Sequence, residues 1–455
     1  MILRTLFLAL SIIIYSACAN GQHTTPQGDN LSLYEMIEAV SADRIQKDIE
    51  QLVSFGTRHT LSDTISATRG IGAARRWIKK ELEDISAECG GCLEVSYLSG
   101  LVLPGESRRI PDTTNIVNVL AIKRGTLYPN RYIIMSGDID SRISDPLNAT
   151  DESPGANDNA SGMAGVIEAA RVLSAYDFES SIVLVGLSGE EQGLFGGKIM
   201  AKQIKEEGWD VIGILNNDMI GNIHGIDGVI DNRTFRIFSE AGPPDEDERR
   251  RIWKRFYGGE VDGDSRQLAR YIHKTVQHYM PEMNPVMIYR LDRFGRGGHH
   301  RPFNDEGFAG VRIMEAHENY VMQHQDIRVE DGISYGDVIE GVDFDYAAKL
   351  TAVNIINLAS LASAPPPPQN LQIGGVVQPS TRLRWDPPAE PVAGYRVYWR
   401  DTTSPVWQYS RYVGDVTDVI LDGIIIDNYL FGVAAVGVDG SESTVAFPNT
   451  LIPRR

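Results

Sequence analysis

The sequence is poor in basic residues relative to acidic ones. The formal net charge at pH 7 is −18 over 455 residues. Nucleic-acid binding needs clustered Lys and Arg to neutralise phosphates, so this charge argues against a nucleic-acid partner. The hydrophobic fraction of 42% is that of an ordinary globular protein. A chain of this length is expected to form two or three domains.

Cysteine is also scarce, with only Cys18, Cys89 and Cys92 in the whole chain. A thioredoxin-like dithiol would stand between a strand and a helix, and the residues around Cys89-Gly-Gly-Cys92 lack that pattern. In an exported chain an oxidising compartment favours a disulfide instead. We therefore expect Cys89 and Cys92 to form a structural disulfide that closes a tight turn.

The N-terminus has the order of a secretory signal. Arg4 precedes an apolar run from Leu6 to Tyr15, which is too short to span a membrane and ends in small residues before Cys18. We expect residues 1–18 to be a signal peptide and the protein to be exported to the periplasm, outer membrane or cell surface. The small residues before Cys18 resemble a lipoprotein cleavage box, although Tyr15 stands where Leu is usual. Membrane tethering through a lipidated Cys18 and release without a lipid both remain open.

Beyond the signal, residues 19–45 are expected to form a tether and a first helix, and residues 46–362 an α/β domain. Helical patterns alternate with short apolar strand patterns, which predicts a mostly parallel or mixed central sheet flanked by helices. The predicted helices cover residues 31–56, 66–86, 162–175 and 196–207, and the predicted strands 114–122, 132–136, 181–187 and 211–216.

The C-terminal part has a different sequence pattern. A proline-rich linker is predicted at 363–369, since consecutive prolines favour a stiff extended spacer. Residues 370–453 contain short alternating segments separated by turn residues, which predicts an all-β immunoglobulin-like sandwich. The segments 384–388, 394–398 and 429–436 resemble a fibronectin type III domain. Such a domain would space the protein from, or bind it to, a surface partner.

Acidic residues recur where strands end or a helix begins, and open α/β sheets place their sites at these strand ends. Taken singly, each has a structural explanation as a helix N-cap or a solvated turn. Four such positions in succession, bracketed by small residues, predict one crevice of carboxylates that a divalent metal neutralises. The residues are Asp138 and Asp140, Asp158, Glu190 and Glu191, and Asp218.

The motifs at 155–162, Gly-Ala-Asn-Asp-Asn-Ala-Ser-Gly, and at 189–196, Gly-Glu-Glu-Gln-Gly-Leu-Phe-Gly, carry a family resemblance. Residues 46–362 resemble metallopeptidase family twenty-eight, the two-zinc aminopeptidases related to bacterial leucyl aminopeptidases. The resemblance implies removal of N-terminal residues from peptides by two divalent ions, with zinc as the first expectation. Asp158 would bridge the ions, Glu191 would bind one and Asp218 the other. Glu190 would be the general base, with Asp140 behind the ligand at 138.

The chain departs from the family at three positions. Asp138 stands where the family has a zinc-binding His, Met322 stands where the last His ligand is expected, and His299 replaces an Asp. A site richer in oxygen ligands would also suit manganese or another divalent ion. The missing nitrogen donor would come from His324 after a two-residue shift of its loop, with His299 as the alternative. We also consider a compensating exchange between positions 138 and 299.

Each of these histidines also has a structural explanation as a loop residue. The chain lacks the single-zinc protease motif His-Glu-x-x-His, because Val321 stands at the second His position after His317-Glu318. Two hypotheses follow. Retention of Glu190 beside Glu191 favours an active metallo-aminopeptidase, whereas loss of both expected His ligands favours a pseudo-peptidase that acts as a binding or adhesion protein.

Overall fold

The computed structural model describes residues 30–244 and 246–453. The predicted signal peptide, the lipidation site Cys18 and most of the predicted tether lie outside the described residues. None of the helices in the described part combines the length and the apolar character that a membrane span requires.

The described residues form nine α-helices. In chain order they are α1 (Leu31–Glu38), α2 (Ala42–Ser54), α3 (Gly70–Glu88), α4 (Gly162–Ser174), α5 (Phe195–Glu206), α6 (Glu248–Tyr257), α7 (Asp264–Tyr279), α8 (His300–Asp305) and α9 (Phe344–Ser363).

The first ten strands belong to the α/β part. They are β1 (Glu94–Val102), β2 (Thr114–Lys123), β3 (Tyr128–Asp138), β4 (Ser180–Leu187), β5 (Asp210–Asn217), β6 (Thr234–Ser239), β7 (Asn284–Ile288), β8 (Gly310–Glu315), β9 (Arg328–Glu330) and β10 (Ile333–Tyr335). The other seven are β11 (Gln369–Gly374), β12 (Thr381–Asp386), β13 (Gly394–Asp401), β14 (Tyr409–Gly414), β15 (Asp418–Leu421), β16 (Tyr429–Val436) and β17 (Thr450–Leu451).

One mixed sheet of eight strands forms the centre of the α/β part, in the order β1-β2-β4-β3-β5-β8-β6-β7. The four strands β4, β3, β5 and β8 run parallel to one another, while β2 runs antiparallel to β4 and β6 antiparallel to β8. This arrangement confirms the predicted mixed α/β class. It also brings the carboxyl ends of four central strands to one edge of the sheet.

Helices cover both faces of this sheet, because alternate side chains of a strand point to opposite sides. On β3, Ile133 and Met135 join the larger apolar cluster with residues of α2, α3, α4 and α9. Ile134, between them, joins a second cluster with Met200 and Ile204 of α5. The strands β3 and β4 are therefore buried on both faces, which holds their ends rigidly.

The predicted elements correspond to observed ones with two corrections. The helical pattern at residues 31–56 is two helices, not one, since the chain breaks between α1 and α2. Ser41 accepts a hydrogen bond from the backbone N–H of Arg44 at 3.3 Å and so caps the start of α2. The predicted helix at 66–86 begins later, at Gly70.

The C-terminal residues form two small sheets, with strand orders β15-β12-β11-β17 and β14-β13-β16. Side chains from both sheets, including Leu383, Trp385, Tyr395 and Phe431, share one apolar cluster. This cluster is separate from the core of the α/β part, so the two parts have independent cores.

The proline run does not hold the two parts away from each other. Arg131 donates a hydrogen bond to the carbonyl of Ala364 at 2.7 Å, which fixes the start of the run to the α/β part. Asp262, on the α/β side, accepts hydrogen bonds from Arg400 of β13 at 2.8 and 2.9 Å and forms an ion pair with Arg270 of α7 at 2.6 Å. The two parts therefore pack directly against each other through buried charge.

Candidate metal centre

The acidic residues stand at the carboxyl ends of neighbouring parallel strands. Asp138 is the last residue of β3, Glu190 and Glu191 follow β4, and Asp218 follows β5. Asp158 lies in the irregular turn before α4, and the peptide bond between Asp158 and Asn159 is cis. The fold thus collects the five side chains at one edge of the sheet.

Three residues converge closely enough to hold one metal ion. The Nε2 atom of His324 lies 2.9 Å from Oδ2 of Asp158 and 2.8 Å from Oε1 of Glu191. One ligand atom from each of the three residues lies within 4.8 Å of the other two. Two carboxylates and one imidazole are a donor set that zinc and other divalent transition metals accept. These residues therefore fit a metal ion.

The electrostatics of this triad also favour a cation. Burial by itself lowers the pKa of His324, but the charges of Glu191 and Asp158 raise this pKa to about 9. Burial raises the pKa of Asp158, but the charge and hydrogen bond of His324, together with Arg293 and Gln323, outweigh burial and lower this pKa below its usual value. Two buried carboxylates that favour a protonated imidazole provide the negative field that a divalent ion requires.

Three neighbouring side chains position the triad. Arg142 donates through Nε to Oε2 of Glu191 at 2.6 Å, and its Nη2 lies 2.6 Å from Nδ1 of His324. Gln323 donates to Oδ2 of Asp158 at 3.2 Å. Asp337 accepts the backbone N–H of Asp158 at 2.7 Å, which fixes the turn that carries this carboxylate.

Met322 does not contribute to the triad. It lines a separate small cavity with Met219 and Asn222. His324 reaches Asp158 from a backbone conformation with a φ of 54°, in the left-handed region. The structure thus brings His324, and not Met322, to Asp158 and Glu191, and its role as the nitrogen donor stays a prediction.

Asp138 is engaged by other residues. Its Oδ1 atom lies 2.5 Å from Nδ1 of His299, and its Oδ2 atom accepts a hydrogen bond from Asn159 at 3.0 Å. Asp138 and His299 are 1% and 0% exposed. Burial lowers the pKa of His299 to about 4, so its imidazole is neutral at pH 7. His299 is therefore a partner of Asp138 and lies outside the triad.

Asp218 faces a guanidinium where the family has a second ion. Oδ2 of Asp218 lies 2.8 Å from Arg312, which also pairs with Asp292 at 3.1 Å. Arg293 lies 4.0 Å from the same Asp218 oxygen. With Asp138 and Asp218 both paired, and without a histidine at 138, these residues do not fit a second metal ion.

Glu190 lines the cavity beside the triad without belonging to it. Burial, together with the charges of Glu191 and Asp218, raises the pKa of Glu190 well above its usual range. Asp140 accepts the backbone N–H groups of Glu190 and Glu191 at 3.2 and 3.1 Å and a hydrogen bond from Thr60 at 2.9 Å. Asp140 therefore positions the loop that carries the two glutamates. Its hydrogen bonds go to that loop and to Thr60, and not to Asp138.

The family profile described as "Peptidase family M28" matches residues 116–336. A probable zinc metalloprotease of Pyrenophora teres f. teres is 41% identical, and the alignment covers 98% of this chain and 95% of the relative. The chain belongs to peptidase family M28. A probable zinc metalloprotease of Leptosphaeria maculans is 42% identical over 91% of this chain and 96% of its own length. The family is one of peptidases, and both of these relatives are named as probable zinc metalloproteases.

Among solved structures, the LapA aminopeptidase of Legionella pneumophila has a similar fold. The TM-score is 0.53, with 17% identity over 75% of this chain and 77% of LapA. At this identity the likeness concerns the fold alone. It agrees with the mixed sheet and flanking helices described above.

Sequence reasoning missed several residues of this M28 site. Arg312 stands inside the buried strand β8, between Val311 and Ile313, and a charge inside an apolar strand is a signal that it has a buried partner. Arg142 stands four residues after Asp138, and its closeness in sequence to that carboxylate is a signal that it belongs to the site. Asp337 carries no local signal, since its role depends on a contact made 179 residues away.

The disulfide expected outside the site is present, with the sulfurs of Cys89 and Cys92 joined after the end of α3. It closes the tight Gly-Gly turn and has no contact with the metal centre. The site of this M28 member combines carboxylates with His324, His299 and several arginines.

Proposed function

We propose that the protein is an exported metallo-aminopeptidase that removes N-terminal residues from peptides. The observation that carries the proposal is the presence of Asp158, Glu191 and His324 as a ligand triad in the same cavity as the non-ligand Glu190. A metal-dependent hydrolase needs both parts, because the base has to stand beside the ion without binding it.

When bound to the triad, a divalent ion would polarise the scissile carbonyl and lower the pKa of the attacking water. Glu190 would accept the proton of that water and deliver it to the leaving amine. The carboxylate of Asp140 accepts a hydrogen bond from the backbone N–H of Glu190, so Asp140 acts as a positioning residue. Arg142 holds the carboxylate of Glu191 in the orientation that a ligand requires.

We propose one ion per chain, although the family resemblance implies two. Zinc is the first expectation, and manganese or another divalent ion is the alternative. The carboxylates of the second position are neutralised by protein groups, Asp218 by Arg312 and Asp138 by His299. A second ion would have to displace the buried guanidinium of Arg312 from Asp218, which would leave that cation with less compensation.

We propose export on the basis of the N-terminal signal pattern, to the periplasm, outer membrane or cell surface, with a lipidated Cys18 as one route of retention. The disulfide between Cys89 and Cys92 supports this proposal, because disulfides persist in oxidising compartments. The strand arrangement of two sheets over one core supports a fibronectin type III domain at 370–453. A surface partner would bind there.

The alternative is a pseudo-peptidase that binds a partner without turnover, and the pairing of Asp138 and Asp218 favours it. Elemental analysis of the purified protein, combined with release of free amino acids from unblocked and N-acetylated peptides, separates the two functions. We expect stoichiometric metal and release from unblocked peptides only. Absence of both after addition of zinc, manganese or cobalt would establish the pseudo-peptidase, and hydrolysis of blocked peptides would exclude an aminopeptidase.

A further inference from the structure

The cavity above the metal centre is rich in arginine. Its volume is about 360 Å³, and its lining contains four carboxylates, one histidine and five arginines. The chain as a whole carries a net charge of −18, so this local concentration of cations is opposite to the bulk composition. The five are Arg109, Arg142, Arg293, Arg296 and Arg301.

Two of these arginines are already used by the protein. Arg142 is paired with Glu191 at 2.6 Å. Arg293 is paired with Glu318 at 3.1 Å and with Asp292 at 3.3 Å, and its side chain is 8% exposed. Both therefore compensate buried carboxylates and have little capacity left for a ligand.

The other three arginines retain free donors, and we name Arg109, Arg296 and Arg301 the arginine mouth. Arg109 donates to the backbone carbonyl of Glu191, and no carboxylate of the described residues lies within 4.0 Å of it. Arg301 has only a 3.9 Å contact with Asp305 and is half exposed. Each guanidinium has five N–H donors, so these contacts leave most of them unused.

Arg296 is positioned by two side chains, but part of its guanidinium remains available to a ligand. One terminal nitrogen contacts Glu318 at 3.3 Å and Gln323 at 3.2 Å, and a third of the side chain remains exposed. Because Gln323 also donates a hydrogen bond to Asp158, one side chain links Arg296 to the triad. This arrangement pre-orients a cation at the wall of the cavity.

The carboxylates of the lining do not neutralise the arginine mouth. Asp158 and Glu191 face His324, and Asp218 faces Arg312. The cavity therefore presents a positive field to its ligand, and a low-dielectric cleft strengthens such a field.

We propose that the arginine mouth binds a carboxylate of the substrate next to the scissile bond, so that the enzyme prefers acidic peptides. This inference rests on the proposed peptidase function and names its substrate class. The planar fork of a guanidinium matches a carboxylate with two parallel hydrogen bonds. The carboxylate comes either from an acidic side chain beside the cleaved bond or from the free C-terminus of a dipeptide.

The test compares kcat/KM for dipeptides that differ in one carboxylate. Ala-Gln-amide carries none, Ala-Gln carries a terminal one, and Ala-Glu-amide carries one on the side chain. Asp-Ala-amide and Asn-Ala-amide compare the residue before the bond. In at least one of these comparisons we expect kcat/KM to be about tenfold or more higher for the peptide with the carboxylate. The comparison that shows this preference identifies which carboxylate the arginine mouth binds. Values within about twofold of each other in every arm would overturn the proposal.

Substitutions locate the effect. In Arg109→Gln, Arg296→Gln and Arg301→Gln the preference should fall toward unity, while the rate on Ala-Gln-amide changes less. Arg124→Gln is the matched control, since Arg124 is an exposed arginine paired with Glu94 outside the cavity. An equal loss of preference in the control would overturn the proposal, because it would assign the effect to the overall charge.

A binding measurement separates this inference from the proposed function. Isothermal titration of zinc-loaded Glu190→Gln protein with the same dipeptides needs no turnover. If the wild-type protein hydrolyses no peptide, but the carboxylate peptides still bind the Glu190→Gln protein more tightly, the proposed catalysis fails and the carboxylate site stands. If hydrolysis occurs and binding is indifferent to the carboxylate, the peptidase stands and the arginine mouth does not select.

Discussion

Nδ1 of His299 lies 2.5 Å from Oδ1 of Asp138, and both side chains are buried at the edge of the central sheet. The family resemblance predicts the opposite residue types at these two positions, a histidine at 138 and an aspartate at 299. The contact in this chain agrees with a compensating exchange between the two positions, which stays a hypothesis. Position 138 therefore carries a carboxylate and not an imidazole, and the cluster of Asp158, Glu191 and His324 does not include it.

The first prediction concerns this exchanged pair. His299→Asp places two carboxylates together, and Asp138→His removes the partner of a buried imidazole, so each single change should lower the free energy of unfolding. The double variant restores a pair of opposite types. Urea unfolding should give a coupling energy of about 1–3 kcal/mol in its favour. Additive single effects would contradict a direct pairing.

The second prediction concerns the nitrogen ligand. His324→Ala should abolish stoichiometric zinc, because two carboxylates alone hold this ion weakly. Met322→Leu is the matched control, since Met322 lines a different cavity and should leave the metal content unchanged. Elemental analysis after dialysis measures both. Loss of zinc in the Met322 variant with retention in the His324 variant would reverse the assignment.

The third prediction concerns the general base. Glu190→Gln keeps the shape of the side chain but removes the proton acceptor, so kcat should fall by about 10²–10⁴-fold. Zinc content should stay unchanged, because Glu190 is not in the ligand triad. Glu191→Gln should instead lose both activity and metal. If Glu190→Gln also loses its zinc, Glu190 is a ligand and the assignment of the base is wrong.

The fourth prediction concerns the contact between the two parts of the chain. Asp262 is fully buried and compensates Arg270 and Arg400, so Asp262→Asn leaves two buried cations with less compensation. The expected loss of stability is about 3–5 kcal/mol. Asp418→Asn is the control, because Asp418 pairs with Arg382 at the surface and should cost less than about 1 kcal/mol. Equal effects would contradict a structural role for the buried cluster.

The fifth prediction concerns acid stability. Burial raises the pKa of Glu442, but Lys274 and Arg396 lower it more, and the pKa falls to about 2 from a usual value of 4.5. The unfolded chain therefore takes up the proton first as the pH falls. Stability contributed by this group is complete above pH 4.5 and is lost as the pH approaches 2.

Glu442→Gln should accordingly be less stable than the wild type at pH 7, by about 2–3 kcal/mol. The difference should shrink when the same urea titrations are repeated toward pH 3. A difference that does not depend on pH would show that the ion pairs with Lys274 and Arg396 do not set the stability of this contact.

Local sequence determined the fold class and the carboxylate half of the site. The strands that end at Asp138, before Glu190 and before Asp218 are short apolar runs, and burial on both faces makes such runs recognisable. Because parallel strands end at the same edge of a sheet, the order of the acidic residues along the chain already implied that they converge. The small residues around Asp158 and Glu191 completed the pattern.

Only the tertiary structure decided which groups neutralise those carboxylates. His299 pairs with Asp138 across 161 residues of sequence, and His324 reaches Glu191 across 133. Arg312 meets Asp218 because β8 lies parallel to β5 in the sheet. Such contacts depend on the register of strands and the paths of loops. Neither residue spacing nor periodicity carries that information, and so the pairing of these carboxylates and the arginine mouth appeared only in the folded chain.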